Sequence, residues 1–466
     1  MKTTGTRSLI LWILGLGFLL GLGVFLYGLA TQGGNWALQP FNKHITGESR
    51  STGEGRVLDR NGVVLAESKN GGRAYGGDEL TRRAMLHTVG DTSGYISTGV
   101  QYNFRSQLSG YNFITGLTSP TGKTNGSDIR LTLDSGLCRL ARERLGSRDG
   151  AAAVYNYKTG ELLCMVSTPD YDPTNPPKDL NTDKTGKYSG VYLNKVLSST
   201  FTPGSTFKVV TAAAAIENIP DLDSRTWNCN GSVTINGNKI TDMYAYGTLS
   251  FKNALAKSSN VAFSQIAIEV GADKMTAMAE KLGFNRSFSL DGIPTAKSVY
   301  KVKGSQSNEL GWSGVGQYTD LANPFQMLVA MGAVANGGTP VMPYMIQSIT
   351  TPAGARLALG LPVKTGSSVA GDQMLGADTA ARLANYLRYN VTHEYGDSLF
   401  PGLEVCAKTG TAQVTGKGDN CWMVGFSSRE DTPLAFVVIV ENSHTGSIAS
   451  AGRIASALMT AAAKIK

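Results

Sequence analysis

Histidine is scarce in this chain, at 4 of 466 residues. The four are His44, His87, His393 and His444, and each stands alone in the sequence. A Ser-His-Asp triad or a zinc site would have to be assembled from these scattered positions. The scarcity therefore argues against histidine-based catalysis and against a metal site, and we expect no cofactor.

Cysteine is nearly as rare. The five cysteines are Cys138, Cys164, Cys229, Cys406 and Cys421, and none has the spacing of metal ligands. Outside the cell, an odd number leaves at least one thiol unpaired. We interpret them as small buried side chains rather than as a redox or metal site.

Charged residues make up only 17% of the chain, against 41% hydrophobic residues. This is a globular composition, and the length suggests about two or three domains. The net charge of +8 favours anionic surroundings such as a membrane surface, a wall polymer or a nucleic acid. A merely soluble basic surface explains the charge equally well, because the sequence has no dense Lys/Arg block.

One long uncharged run stands out, from Ser8 to Ala30. As a helix it would be about 35 Å long, enough to cross the hydrocarbon core of a bilayer. Lys2 and Arg7 precede it, so the positive-inside rule predicts a cytoplasmic N-terminus and an extracytoplasmic remainder. The alternative is a signal peptide cleaved near Ala30. We favour a retained anchor, because the run exceeds a typical signal-peptide core of about 7–15 residues.

The patterns beyond the anchor predict two regions of α+β type. Residues 31–128 are polar and glycine-rich, and GRVLDRNGVVLAES predicts two short strands around Asn61-Gly62. From residue 129 onward, IRLTLD and then SGLCRLARERLG predict a strand and a helix, and AAAVYNYKTGELLCMVS predicts a hairpin. Three further strands and an alanine-rich helix end the chain. With a helical middle, these elements predict one antiparallel sheet covered by helices.

The stretch FTPGSTFKVVTAAAAIE places a serine and a lysine one helical turn apart. Ser205 would begin a helix after Pro203-Gly204, and Lys208 would lie on the same face. Burial by the apolar residues that follow would lower the pKa of the lysine, so that it can act as a base. The alternative is an N-capping serine and a surface lysine. The other SxxK match, Ser298 to Lys301, runs into a polar segment.

Two further short motifs follow Ser205. The first is Ser258-Ser259-Asn260, whose hydroxyl could relay a proton and whose amide could hold a carbonyl; the other SxN match begins at Ser68, in the N-terminal region. The second is KTG, which occurs at Lys158, Lys184, Lys364 and Lys408. The copies at 158 and 184 lie in a predicted hairpin turn and a polar loop. The copy at Lys408 lies within an apolar strand pattern, and the copy at Lys364 is the alternative.

SxxK, SxN and KTG in this order resemble the penicillin-interacting serine transferases and hydrolases. GAAAVYNYKTGELLCMVSTPDYDP is similar to the opening hairpin of their transpeptidase domain, and STFTPGSTFKVVTAAAAIE to its nucleophile helix. GVGQYTDLANPFQMLVAMGAVANGGTPVMP is similar to a further segment of that domain. GRVLDRNGVVLA and GVQYNFRSQLSGYN are similar to the membrane-proximal region of class B penicillin-binding proteins, so the resemblance covers nearly the whole chain.

The resemblance implies residues 1–30 as cytoplasmic tip and transmembrane anchor, residues 31–128 as a small membrane-proximal α+β domain, and residues 129–466 as a transpeptidase domain with a five-stranded antiparallel sheet. It implies that Ser205 attacks a D-Ala-D-Ala stem peptide and forms an acyl-enzyme. Lys208 would accept the proton of Ser205, and Ser258 would relay a proton to the leaving amine.

The resemblance also implies the substrate-binding groups. Asn260 would hold the substrate amide, and the Lys408-Thr409-Gly410-Thr411 segment would bind the terminal carboxylate through its lysine and threonines. The backbone N–H groups of Ser205 and Thr411 would form an oxyanion hole.

The chain departs from the family pattern at three points. The family often has another cysteine shortly after the one that matches Cys229, and this chain has none there. The family also often has a cysteine in the middle of SxN, where this chain has Ser259. A disulfide at Cys229 is therefore not expected. The family's GQG motif corresponds to Gly316-Gln317-Tyr318 in this chain, so Tyr318 stands where the family has its second glycine.

The leading interpretation is a class B D,D-transpeptidase that cross-links peptidoglycan and binds β-lactams. Residues 31–128 are too few for a glycosyltransferase domain, so we expect a separate glycosyltransferase and other wall-synthesis membrane proteins as partners, and no nucleic acid. One alternative is a D,D-carboxypeptidase or β-lactamase, although no further carboxylate motif for activating water is evident. Another is a β-lactam sensor or a non-catalytic scaffold. A sensor needs a cytoplasmic output domain, but only about seven residues precede the anchor; a scaffold could have lost a catalytic residue, but all three motifs are intact.

Overall fold

The computed structural model describes residues 2–39, 53–110, 126–350, 368–413, 416 and 418–465. Within these residues the α-helices are α1 Lys2–Ala37, α2 Glu79–Val89, α3 Val100–Asn103, α4 Arg105–Ser109, α5 Ser135–Leu145, α6 Lys195–Ser198, α7 Lys208–Asn218, α8 Phe251–Ala256, α9 Asn260–Val270, α10 Ala272–Lys281, α11 Ser307–Gly314, α12 Pro324–Ala335, α13 Ala377–Asn390 and α14 Arg453–Ala462. The strands are β1 Val57–Leu58, β2 Val64–Lys69, β3 Gly72–Tyr75, β4 Asp128–Leu131, β5 Gly150–Asn156, β6 Leu162–Thr168, β7 Thr226–Ile235, β8 Asn238–Ser250, β9 Ser289–Leu290, β10 Ile293–Pro294, β11 Ile346–Thr350, β12 Val405–Ala412, β13 Asp419–Ser427 and β14 Leu434–Ser443.

The uncharged N-terminal run forms a single helix. Within α1, residues Gly5–Leu29 are long and apolar enough to cross a membrane, and none of the most apolar stretch is buried in the protein. A helix that is apolar on every side and uncovered needs an apolar solvent, which a bilayer provides. The predicted membrane-spanning segment, Ser8 to Ala30, therefore coincides with an exposed apolar helix.

A five-stranded sheet lies next in the chain, with the strand order β11-β4-β1-β2-β3. β1 and β2 form the expected antiparallel hairpin around Asn61-Gly62, where Gly62 has a φ of 83°. β4 pairs in parallel with β1, and β11 pairs antiparallel with β4. The sheet thus contains strands from both sides of residue 128, where we predicted a domain boundary, and that boundary stays a prediction.

The second five-stranded sheet is antiparallel throughout, with the order β12-β13-β14-β5-β6, as expected. Its central strand, β14, is buried at every residue from Leu434 to Val440. Because alternate residues of a strand point to opposite faces, this run requires cover on both faces. α12 packs against β13 and β14, and α5 and α14 pack together and contact the same sheet. β12 lies at an edge.

The helical middle predicted for this domain was only partly right. α7, α9, α10 and α13 pack around one another there. The middle also contains a long antiparallel hairpin, β7 with β8, which the sequence pattern did not predict. Most residues of β8 from Asn238 to Ser250 are exposed or half-buried, so this strand has no apolar alternation. In β7 the more buried residues do alternate with exposed ones, from Trp227 to Ile235, and our prediction overlooked this strand signal.

The cysteines are small buried side chains, as expected. All five lie within the described residues, and all are buried and unpaired. Cys229, for which no disulfide was expected, has Ser259 Oγ at 3.2 Å from its sulfur.

The packing of α12 on the sheet gives a stability prediction. A Cβ at Gly332 of α12 would overlap the buried hydroxyl of Tyr155 on β5. Gly332→Ala is therefore expected to lower the free energy of unfolding by about 1–3 kcal/mol, because the added methyl group would force the tightly packed α12 and β5 apart. Gly72→Ala is the matched control, since a Cβ there meets only one backbone atom, at 4.0 Å, and should change stability by less than about 0.5 kcal/mol. Equal urea midpoints for the two variants would contradict the packing described here.

Candidate active site

Ser205 lies on a 3₁₀ turn, Gly204–Phe207, that leads directly into α7. Gly204 has a φ of 52° and donates its N–H to Gly316 O at 2.9 Å. A Cβ at Gly204 would lie 2.6 Å from Thr411 O, so only glycine allows the turn to approach β12 this closely. The turn thus presents the half-buried Ser205 beside the edge strand of the sheet.

The Lys208 amine is surrounded by polar atoms. Its Nζ lies 3.0 Å from Ser205 Oγ, 2.6 Å from Ser258 O and 2.8 Å from Asn260 Oδ1. The two carbonyl oxygens can only accept, so they take two N–H groups of the amine. In an uncharged amine the lone pair that remains is available to the Ser205 hydroxyl. With two N–H groups taken by carbonyl oxygens, the lone pair of a neutral Lys208 would be directed at Ser205 Oγ.

Burial makes the uncharged form of Lys208 accessible. The side chain is fully buried, and burial lowers the pKa of Lys208 well below its ordinary value. The positive charge of Lys408 lowers it further, and the carboxylate of Asp242 opposes the shift. Desolvation and a like charge act in the same direction here, and a lysine in this state can work as a base.

Ser258 links the two lysines. Its Oγ lies 3.2 Å from Lys208 Nζ and 2.9 Å from Lys408 Nζ. Its backbone φ is 56°, a left-handed conformation that is uncommon for a residue with a side chain. A hydroxyl between two amines can accept a proton from one and donate its own elsewhere, which is the geometry of a relay.

Lys408 lies on the edge strand β12, paired with Val424 of β13. Its side chain is fully buried, and burial lowers the pKa of Lys408 from its ordinary 10.5 to about 7. Its Nζ also donates to Thr409 O at 3.1 Å. Among the described residues, Lys408 is thus the KTG lysine that reaches the Ser205 network.

The other residues of the KTG segment differ in their contacts. Thr409 donates both its N–H and its hydroxyl to the Tyr395 hydroxyl, at 3.1 and 3.2 Å. Gly410 packs so closely on the nucleophile turn that a Cβ there would lie 2.6 Å from Pro203 O. Thr411 is exposed, and its Oγ1 lies 2.8 Å from Ser447 Oγ.

Backbone groups of alternate residues in β12 point away from the neighbouring strand β13. The N–H of Thr409 points away from β13 and is taken by Tyr395, and Ala407 O on the same side accepts from Asn390. Two residues further on, the backbone of Thr411 faces the same way, next to Gly204. The backbone groups of Thr411 therefore face the turn that carries Ser205, and not β13.

The remaining motif copies lie elsewhere. Lys158 is exposed in the β5–β6 turn, where it donates to Asn336, and Lys184 is exposed in a loop. Lys364 lies outside the described residues. Ser298 is fully buried and accepts from Asn323 N at 2.8 Å, so it has a structural role in the fold. Ser68 is at the far end of β2.

Three site residues were missed by the sequence analysis: Asp242, Tyr395 and Ser447. Asp242 and the adjacent Thr241 contact the SxN residues from the β7–β8 hairpin. Tyr395 and Ser447 contact the KTG segment from a turn after α13 and a turn before α14. Each belongs to a separate segment without a motif of its own, so no local pattern could have identified it.

Comparisons with known proteins place this arrangement in context. A family model for the penicillin binding protein transpeptidase domain matches residues 150–460. The peptidoglycan D,D-transpeptidase PbpA of Mycolicibacterium smegmatis is 28% identical over 340 residues, which cover 66% of this chain and 65% of that protein. The stage V sporulation protein D of Bacillus subtilis is 26% identical over 455 residues, covering 91% of this chain and 67% of that one. The chain therefore spans about two thirds of the length of these curated relatives.

A solved structure has the same fold. The D,D-transpeptidase domain of a peptidoglycan glycosyltransferase from Eggerthella lenta superposes with a TM-score of 0.75 at 25% identity, covering 89% of this chain and 99% of that one. Penicillin-binding protein A of M. tuberculosis, solved as an imipenem acyl-enzyme complex, superposes with a TM-score of 0.76 at 22% identity over 89% of this chain and 99% of that chain.

The buried Lys408 amine gives a pH prediction for stability. Because its pKa is about 7 in the folded chain and about 10.4 when unfolded, the unfolded chain binds more protons between these values. The free energy of unfolding should therefore increase with pH in this window, by up to about 1.4 kcal/mol per pH unit. Lys408→Met should make the slope shallower by about 1 kcal/mol per pH unit, measured by urea unfolding between about pH 7.5 and about pH 9.

The control for this measurement is Lys301→Met, at the exposed lysine of the other SxxK match. This variant should keep the wild-type slope. Parallel slopes for wild type and Lys408→Met would show that the Lys408 amine is not desolvated as described.

Proposed function

The chain belongs to the penicillin-binding protein transpeptidase family, and we propose that it is a peptidoglycan D,D-transpeptidase that acts through an acyl-enzyme on Ser205. The observation that carries the proposal is the contact of Ser205 Oγ with the buried Lys208 amine at 3.0 Å. A serine hydroxyl becomes an effective nucleophile when a positioned base takes its proton. Lys208 has the burial and the contacts that such a base requires.

In the proposed first step, Ser205 Oγ attacks the carbonyl carbon of the D-Ala-D-Ala bond while its proton moves to Lys208. The carbonyl oxygen becomes an oxyanion, for which the backbone N–H groups of Ser205 and Thr411 are the proposed donors. The tetrahedral intermediate then breaks its C–N bond. Ser258 gives its proton to the leaving D-alanine amine and is reprotonated by Lys208. A β-lactam would acylate Ser205 in the same way, with its ring amide as the bond that breaks.

The substrate carboxylate is assigned to the KTG segment. Lys408 supplies a cation at its base, and Thr411 supplies an exposed hydroxyl at the open end of the strand edge. The hydroxyl of Thr409 is bonded to Tyr395, so it would have to leave that partner to reach the substrate. The hydroxyl of Thr411 also has a partner, Ser447 Oγ at 2.8 Å, but Thr411 is exposed whereas Thr409 is half-buried. The proposed carboxylate site therefore rests on Lys408 and Thr411, and the role of Thr409 stays a prediction.

The fate of the acyl-enzyme distinguishes a transferase from a hydrolase. Transfer needs the amine of a neighbouring stem peptide, whereas hydrolysis needs an activated water. In the described part of the site, the carboxylate of Asp242 already accepts bonds from three donors of Ser259, Asn260 and Val261. These bonds direct both of its oxygens at the start of α9, which disfavours a role as the base for water and supports transfer over the carboxypeptidase and β-lactamase alternatives.

The location we propose follows from α1. This helix would anchor the protein in the cytoplasmic membrane, with Lys2 and Arg7 on the cytoplasmic side and the catalytic domain outside. There the domain would meet peptidoglycan stem peptides and β-lactams. A separate glycosyltransferase would supply the glycan strands, and other wall-synthesis membrane proteins would be neighbours in the same bilayer.

The proposal predicts a covalent adduct on one serine. The full chain in detergent, incubated with benzylpenicillin, should gain the mass of one drug molecule, on the peptide that contains Ser205. Ser205→Ala should show no adduct, because no other described serine contacts the Lys208 amine except the relay Ser258. Ser298→Ala, which changes the serine of the other SxxK match, should still be labelled.

The lifetime of the adduct separates the alternatives. A long-lived adduct without drug consumption supports the transpeptidase, and rapid loss of the adduct with continued drug turnover supports a hydrolase. A wild-type chain that gains no mass would contradict the proposed nucleophile and favour a scaffold.

A further inference from the structure

The carboxylate of Asp242 accepts three hydrogen bonds from the SxN motif and the residue that follows it. Its Oδ2 accepts from Ser259 Oγ at 2.7 Å, and its Oδ1 accepts from the N–H groups of Asn260 and Val261 at 2.5 and 3.0 Å. Asp242 lies on β8, 17 to 19 residues before these three donors in the sequence. The contact therefore ties the β7–β8 hairpin to the start of α9.

This contact completes the N-terminal cap of α9. The first N–H groups of a helix have no partner within the helix, and a negative charge there is stabilising. Ser259 is the N-cap and accepts from Ala262 N at 3.1 Å, while Asp242 takes the N–H groups of Asn260 and Val261. The cap is thus shared between a local hydroxyl and a carboxylate from the hairpin.

The cap also fixes the two residues that touch Lys208. Ser258 holds a left-handed backbone, with φ of 56°, which persists only when its surroundings enforce it. Asn260 donates Nδ2 to Thr241 O at 2.9 Å, so its Oδ1 faces the Lys208 amine. Asp242 therefore holds the backbone of this turn through Ser259 and Asn260, and its chain neighbour Thr241 holds the Asn260 side chain.

We infer that Asp242 is a positioning residue for acylation: its carboxylate, carried by the β7–β8 hairpin, holds the Ser258–Asn260 turn so that Ser258 O and Asn260 Oδ1 direct the Lys208 lone pair at Ser205. The inference rests on the proposed function, because it assigns a role within that reaction. Asp242 itself acts through the turn and does not touch the substrate.

The charge of Asp242 has a second effect that a purely mechanical cap would lack. Among the described residues, the charged groups that act on Lys208 are Lys408 from β12 and Asp242 from β8, and they shift its pKa in opposite directions. Cys229 and Tyr246 are the other titratable groups whose pKa the Asp242 charge raises. Removal of this negative charge lowers the pKa of Lys208 further, so the base stays uncharged to lower pH.

The test is Asp242→Asn in the full chain in detergent, with the rate constant for acylation by a fluorescent penicillin measured against pH. Loss of the charged acceptor should reduce the rate constant on the pH plateau by about 10- to 100-fold, because the turn loses charge-assisted hydrogen bonds. The acid limb of the profile should move to lower pH. Asp242→Glu, which keeps the charge, should keep the acid limb near its wild-type position.

The matched control is Asp372→Asn, at an exposed aspartate outside the site, which should behave as wild type. An Asp242→Asn chain that is less stable but is acylated at the wild-type rate with the wild-type profile would overturn the inference. If this variant does not fold, Ser259→Ala, which removes one of the three bonds, should still slow acylation by about threefold or more, and an unchanged rate would overturn the inference as well. A wild-type chain that is never acylated would refute the proposed function instead, so the two failures are distinguishable.

Discussion

Two buried lysine amines meet at one serine hydroxyl, and the rest of the site depends on this contact. Lys208 and Lys408 both lie within hydrogen-bond distance of Ser258 Oγ, and both side chains are fully buried. Burial lowers the pKa of both amines, and the charge of Lys408 lowers the pKa of Lys208 further. The fold thereby favours the neutral form of Lys208, which is the form that the proposed base requires.

The architecture holds this unfavourable pair together from three directions. The nucleophile turn and α7 bring Ser205 and Lys208, the edge strand β12 brings Lys408, and the start of α9 brings Ser258 and Asn260. Close backbone approaches at Gly204 and Gly410 bring the turn against the strand. Because each group sits on a regular element or on a capped helix end, the reacting atoms are held before a substrate arrives, as catalysis requires.

Part of this site could be predicted from the sequence. Ser205 and Lys208 are one helical turn apart, so local geometry alone brings them together. Lys408 could be chosen among the KTG lysines because it lies in an apolar strand followed by other strands. The contacts of Asp242, Tyr395 and Ser447 could not be predicted, because they depend on how distant segments pack. The β7–β8 hairpin was missed for a different reason: β8 is mostly exposed and gives no periodic signal, whereas the alternation in β7 is present in the sequence and was overlooked. The same limit applies to β11, which joins the first sheet from more than 200 residues further along the chain than β4.

The most direct measurement is the pH dependence of β-lactam acylation in wild type and in Lys408→Met. If the two amines share one desolvated site, removal of the Lys408 charge raises the pKa of Lys208. The acid limb of the acylation profile then moves to higher pH, and the account predicts this shift. An acid limb that stays in place, or moves to lower pH, would contradict the claim that the Lys408 charge helps to make Lys208 a base.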